Sequence, residues 1–143
     1  MGDVIKVGSL GVRFLVEGPD SDGSVAVFEA RVPTGGKPPA PHSHDGYEET
    51  IYGVEGATTW TVEGATIEIG PGDALCIRRG DVHHFENHAD ADAVFLAIVS
   101  PGVLGPDFFR EVGAAIEAAG DAPPDLEKVG AVMRKHGLTP SAT

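Results

Sequence analysis

The chain carries a single cysteine, Cys76, in 143 residues, so no internal disulfide can form and a thiolate metal cluster is excluded. It is also short of basic residues, with 10 Lys and Arg against 22 Asp and Glu, a formal net charge of −12. A surface of that sign repels phosphate backbones and anionic lipid, so no nucleic-acid partner and no membrane role is expected. Long apolar runs are missing too. The most apolar stretch, Ala93 to Leu104, is interrupted by Ser100, Pro101 and Gly102 and is too short to span a bilayer. Met1 to Lys6 shows no basic region followed by an apolar run, and Lys6 fails the myristoylation pattern. A protein of the reducing cytoplasm is the expectation. No G-x-S-x-G elbow and no Walker-type phosphate loop occurs, so a serine triad and a nucleotide-phosphate cradle have no support.

What is abundant is backbone punctuation: 20 glycines and 11 prolines, beside a hydrophobic content of 41% that is enough for a core. Between the turns, apolar residues alternate. Leu10, Val12, Phe14 and Val16 share one parity, as do Phe28, Ala30 and Val32, with Glu29 and Arg31 on the other face. Short strands are expected at 50–54, 58–62, 66–69, 74–77, 83–87 and 94–99, the last apolar on both parities. The period then changes. Phe108, Phe109, Val112, Ile116 and Ala119 recur at helical spacing, and so do Leu126, Val129 and Met133. The fold class is therefore all-β, a closed or sandwiched domain over residues 1–104, with a helical appendage over 105–143 packed on it.

Four of the six histidines lie between His42 and His84. His42 and His44, one residue apart on a strand, point the same way. Glu49 can return to that face after the turn at Asp45-Gly46, and His83 can supply a fourth donor from a neighbouring strand. Three imidazoles and one carboxylate suit one divalent transition metal (Fe, Mn, Ni, Cu or Zn) rather than Ca or Mg. Such a set leaves two positions of an octahedral ion open for catalysis.

The spacing extends past the donors. It runs Gly36-x5-His42-x-His44-x4-Glu49-x6-Gly56, then Gly72-x5-Arg78-x-Gly80-x2-His83-x3-Asn87. This resembles both conserved motifs of the cupin superfamily, in its small single-domain bacterial form, over roughly residues 24 to 100. One departure is Arg78, where the family has a proline that shapes a turn and contributes nothing to a metal. The resemblance implies a double-stranded β-helix (jelly roll) with the metal in the barrel mouth, held by His42, His44, Glu49 and His83. Glu48 is the alternative carboxylate, but the six-residue gap to Gly56 matches only Glu49; a three-histidine site with Glu49 as a free base stays open.

The remaining candidates have plainer readings. Phe28, Trp60 and Phe85 are inward by parity, core first and pocket wall second. Tyr47 can donate to a bound ligand but reads as a solvent-facing loop residue. Cys76 reads as an inert buried thiol, His84 and His88 as surface residues, and His136 as the C-terminal end of a helix near Gly137. The two-faced strand 94–99 needs a cover on each side, from the helix at 108–119 or from a second subunit, and the resemblance implies a homodimer. The functional expectation is a metal-dependent enzyme acting on a small organic molecule, a dioxygenase-type oxidoreductase in which Glu49 ligates and takes a proton. The alternatives are a sensor or carrier that binds without turnover, and a metal-dependent isomerase or lyase.

Overall fold

Strand alternation sets the inner faces of two antiparallel sheets, as seen in a computed structural model that describes residues 2–141. The first sheet holds six strands: β1 (Ile5–Val7), β2 (Leu10–Val16), β3 (Ala26–Val32), β5 (Glu48–Glu55), β8 (Ala74–Ile77) and β10 (Ala93–Ser100). Their order across the sheet is β1-β2-β3-β10-β5-β8. The second holds β4 (His42–His44), β6 (Thr58–Val62), β7 (Ala65–Ile69), β9 (His83–Glu86) and β11 (Leu138–Pro140), in the order β11-β4-β9-β6-β7. Two helices, α1 (Pro106–Ala118) and α2 (Leu126–Lys135), follow β10. Among the described residues no helix is long and apolar enough to cross a membrane. The expected all-β class is thus what forms, as a two-sheet sandwich with two C-terminal helices.

The core lies between the sheets and is closed at one end by α1. Leu10, Val12 and Phe14 of β2 and Phe28, Ala30 and Val32 of β3 are buried on the inner face, as the alternation predicts. Each such aliphatic or aromatic side chain contributes about 1.5–3 kcal/mol on burial. β10 is central, pairing Ala97 with Phe28 on one side and with Ile51 on the other. On its outer face Leu96 and Ile98 are half-buried. The helix packs elsewhere: Phe109 of α1 stacks edgewise on Phe28, with centroids 4.9 Å apart, and touches Phe14 at 5.8 Å. The amphipathic helices therefore cover the inner, open end of the sandwich.

Two expectations need correction, and one strand was not foreseen. Cys76 is exposed, because parity in β8 sends Ile77 inward and the thiol outward. Tyr47 is 1% exposed, because the turn before β5 folds its ring under the barrel instead of into solvent. The chain beyond residue 105 is not only helical. After α2, Gly137 takes φ +84° and lets β11 return to the second sheet, where Leu138 pairs with His44 and Pro140 with His42. Three residues are too few to show a period.

Candidate metal centre

Strand β4 carries two of the three clustered histidines. It is three residues long and is preceded by the proline-rich segment 33–41, which lacks the donors to extend it. Its place is set from both sides: His42 pairs with His83 of β9, and β11 covers the other edge. Gly80, at φ +81° where a side chain would be strained, turns the chain so that its N–H donates to the His44 carbonyl at 2.9 Å. Ser43 alternates between the two histidines.

The three rings converge. Centroids are 4.6 Å apart for His42 and His83, 4.5 Å for His44 and His83, and 5.3 Å for His42 and His44. One ring nitrogen from each lies within 4.8 Å of the others. Nδ1–H of His42 donates to the Ala40 carbonyl at 3.0 Å, and Nδ1–H of His83 to the Asp81 carbonyl at 2.9 Å. Those bonds fix the rings and leave Nε2 with a bare lone pair, the tautomer that a metal takes. Oε1 of Glu49 stands 3.8 Å from Nε2 of both His44 and His83. That is beyond hydrogen-bond reach, and it matches donors that each sit about 2.0–2.2 Å from a common ion.

Burial sets the charge state. It pushes His42 down to about 3, helped by the neighbouring His83, and His44 down to about 2, helped by His42 and His83. His83 is lowered as well, chiefly by burial. Glu49 is pushed up to about 7 by burial. Three neutral imidazoles are the protonation state that ligation requires, and Glu49 would join them on giving up its proton, so the residues present fit a single divalent ion.

The two adjacent carboxylates part company. Glu48 accepts from Arg79 Nε at 2.7 Å on the outside, while Glu49 is buried at the cluster. Arg78 is 79% exposed and pairs with Asp81, away from the histidines. Phe28, Trp60 and Phe85 all line the cavity above the cluster. Trp60 packs on Phe85 at 4.7 Å and Phe95 at 5.2 Å, and its indole N–H donates to Thr58 Oγ1 at 2.8 Å. His88 is exposed, and His136 sits at the end of α2 with Nε2 2.8 Å from Glu111.

Sequence reasoning missed one wall. Phe108, Phe109 and Val112 of α1, Met133 of α2 and Leu138 of β11 close the cavity from the C-terminal side. The helical stripes at 108–116 and 129–133 were the available signal, but a stripe does not say which surface it covers. Tyr47 was missed too: its ring stacks on His44 at 4.4 Å and 19°.

The matched glycine and asparagine positions now have physical reasons. Gly56 has φ +64°, and a Cβ there would come within 2.5 Å of the Asp92 carbonyl oxygen. Asn87 is buried, its Nδ2 donating to Val32 at 2.9 Å and Ala91 at 2.8 Å, so it ties the end of β9 to β3.

A two-sheet sandwich with a buried three-histidine cluster, consistent with a single metal ion, is the class that fold and site define. The chain belongs to the Cupin_2 family: residues 28–99 match its cupin domain. It is 28% identical over 116 residues to quercetin 2,3-dioxygenase of Bacillus subtilis, covering 81% of this chain and 34% of that protein. The chain thus spans about a third of that relative's length. Among solved structures it is similar to a predicted oxalate decarboxylase from Thermotoga maritima, with TM-score 0.64 and 22% identity over 69% of this chain and 90% of that one. It is also similar to a sugar phosphate isomerase of the cupin superfamily from Silicibacter pomeroyi, with TM-score 0.58 and 25% identity over 66% of this chain and 60% of that one.

Proposed function

We propose that this cupin is a mononuclear metal-dependent enzyme that oxidises a small organic molecule with O2, a dioxygenase-type oxidoreductase. The observation that carries the reading is the convergence of His42, His44 and His83 at an apolar cavity, with Glu49 Oε1 3.8 Å from two of them. The similarity to a quercetin dioxygenase supports the choice of reaction class.

A bound Fe, Mn, Ni, Cu or Zn ion supplies Lewis acidity to an oxygen-bearing substrate, and a redox-active one supplies the chemistry for O2. The chain's own residues do the rest. His42 and His83 present Nε2 because Ala40 and Asp81 occupy Nδ1. Glu49, with its carboxyl held near neutrality, is poised both to ligate and to accept a substrate proton at Oε1. Trp60, Phe28 and Phe85 keep water from the reacting atoms.

Elemental analysis of the wild type and His44→Ala tests the reading. Stoichiometric metal in the first and its loss in the second are expected; metal-free wild type sinks it. O2 uptake in a metabolite screen then separates the classes. Turnover without O2 makes the protein an isomerase or lyase, and binding without turnover makes it a carrier or sensor.

A further inference from the structure

The walls of the cavity say more about the substrate than the donors do. Apart from His42, His44, His83 and Glu49, every described residue that lines it is apolar. Among the described residues no Lys or Arg reaches it, and no hydroxyl or amide does. The basic residues nearest in sequence are spent elsewhere, Arg79 on Glu48 and Arg78 on Asp81. A ligand that brings charges or hydroxyls beyond the reach of one bound ion would have to bury them without partners, which is strongly unfavourable.

Six of the sixteen apolar residues that line it are aromatic, and they fall into two clusters. Trp60, Phe85 and Phe95 form one cluster, with mutual centroid distances of 4.7, 5.2 and 5.3 Å. Phe28, Phe108 and Phe109 form a second one, linked at 4.9 and 5.0 Å. Ring edges and faces presented by such clusters favour contact with another ring. The space is small, about 80 Å³. An apolar cavity of ~150 Å³ takes up a benzene ring, so this one admits a single ring only with some yielding of its walls. The half-buried rings of the wall, Phe109 on α1 and Phe85 on β9, are the ones best able to yield.

We infer that the substrate of this site is a compact, uncharged, single-ring molecule with one or two oxygens directed at the histidine cluster, such as a phenol or catechol. Phosphorylated sugars and multi-ring flavonols are excluded, and so are dicarboxylates whose two charges one ion cannot reach together. The inference deepens the enzymatic reading above and rests on the same cavity. It separates this chain from the oxalate, sugar phosphate and quercetin named for its relatives.

Trp60 provides the readout, since it is the protein's one tryptophan and lines the cavity. Its emission is titrated with phenol, catechol, quercetin, oxalate and glucose 6-phosphate, in the full chain with and without added metal, and cross-checked by calorimetry. Saturable responses to phenol in both forms are expected, with catechol tightened at least tenfold by metal. Glucose 6-phosphate and quercetin should bind at least tenfold more weakly than phenol, and so should oxalate in the metal-free form. Phe109→Ala, a half-buried position that should still fold, should raise quercetin affinity relative to phenol at least tenfold. Sugar phosphate or quercetin binding the wild type as tightly as phenol overturns the inference, as does oxalate doing so without metal, and so does a metal-loaded protein that ignores both one-ring probes. Phenol binding to a protein that never retains metal leaves the ring preference standing and sinks only the enzymatic reading.

Discussion

Tyr47 lies flat against His44, its ring 4.4 Å away and 19° from parallel, and its hydroxyl finds no hydrogen-bond partner among the described residues. The stack contributes packing, whereas the unpaired hydroxyl costs about 1–3 kcal/mol. Tyr47→Phe should therefore leave stability unchanged or raise it by about 1 kcal/mol. Tyr47→Ala should cost about 3–5 kcal/mol and loosen His44. Urea denaturation checks both; a loss above about 2 kcal/mol for the phenylalanine would show that the hydroxyl is paired.

Glu48 and Glu49 offer a matched pair of substitutions. Glu49→Gln should weaken metal binding at least about tenfold, while Glu48→Gln, which only unpairs Arg79, should change it less than about twofold. Competition with a chromogenic chelator reads both. Equal effects would place the carboxylate donor wrongly.

Acidity acts on the site in opposite directions. Glu49, raised to about 7 in the folded chain, holds a proton that the unfolded chain has lost, so its contribution is complete below about 4.5 and fades as pH rises to 7. His42 and His44 are depressed, so their contribution is present above about 6.5 and is lost as pH falls toward 3. The metal-free protein should therefore weaken on acidification below 6.5, with the histidines outnumbering Glu49. Metal binding near pH 6 should release about one proton, from Glu49, because the histidines are already neutral. Calorimetry in two buffers of different ionisation heat counts it. A release near three protons would refute the assigned states.

Leu138 of β11 is 1% exposed and lies opposite His44. Leu138→Ala should cost about 2–5 kcal/mol by cavity formation and lower metal affinity in parallel, because the strand bearing His44 loses a packed neighbour. A variant that is destabilised yet binds metal normally would show that β4 holds its position unaided.

Cys76, on the outer face of the edge strand β8, should react with a thiol reagent in the native protein at a rate close to that in denaturant. Slow labelling in the native state alone would mean that something covers this face.

Much of the site was legible because it is local in the chain. His42, His44 and Glu49 sit within eight residues, and strand parity with one turn is enough to bring them together. His83 became legible through Gly80 and Asn87, which a turn and a strand end require at those offsets. Glu48 and Glu49 were harder to separate, since the deciding partner, Arg79, is 31 positions away. What stayed hidden depends on tertiary contact alone. The inward turn of Tyr47 and the return of Leu138 leave no periodic trace, and the faces that α1 and α2 cover are set by where β1 and β11 stand.

The pairing of β11 with β4 imposes an order in time. Every proposed donor has left the ribosome once His83 has, yet the edge of the strand bearing His42 and His44 stays bare until Leu138–Pro140 are made. At ~5–20 residues per second the intervening ~55 residues take roughly 3 to 11 s. During that interval the histidines stand on a frayed strand open to water. An ion captured then would meet a looser site than the finished protein offers, so selection among metals belongs to the completed chain.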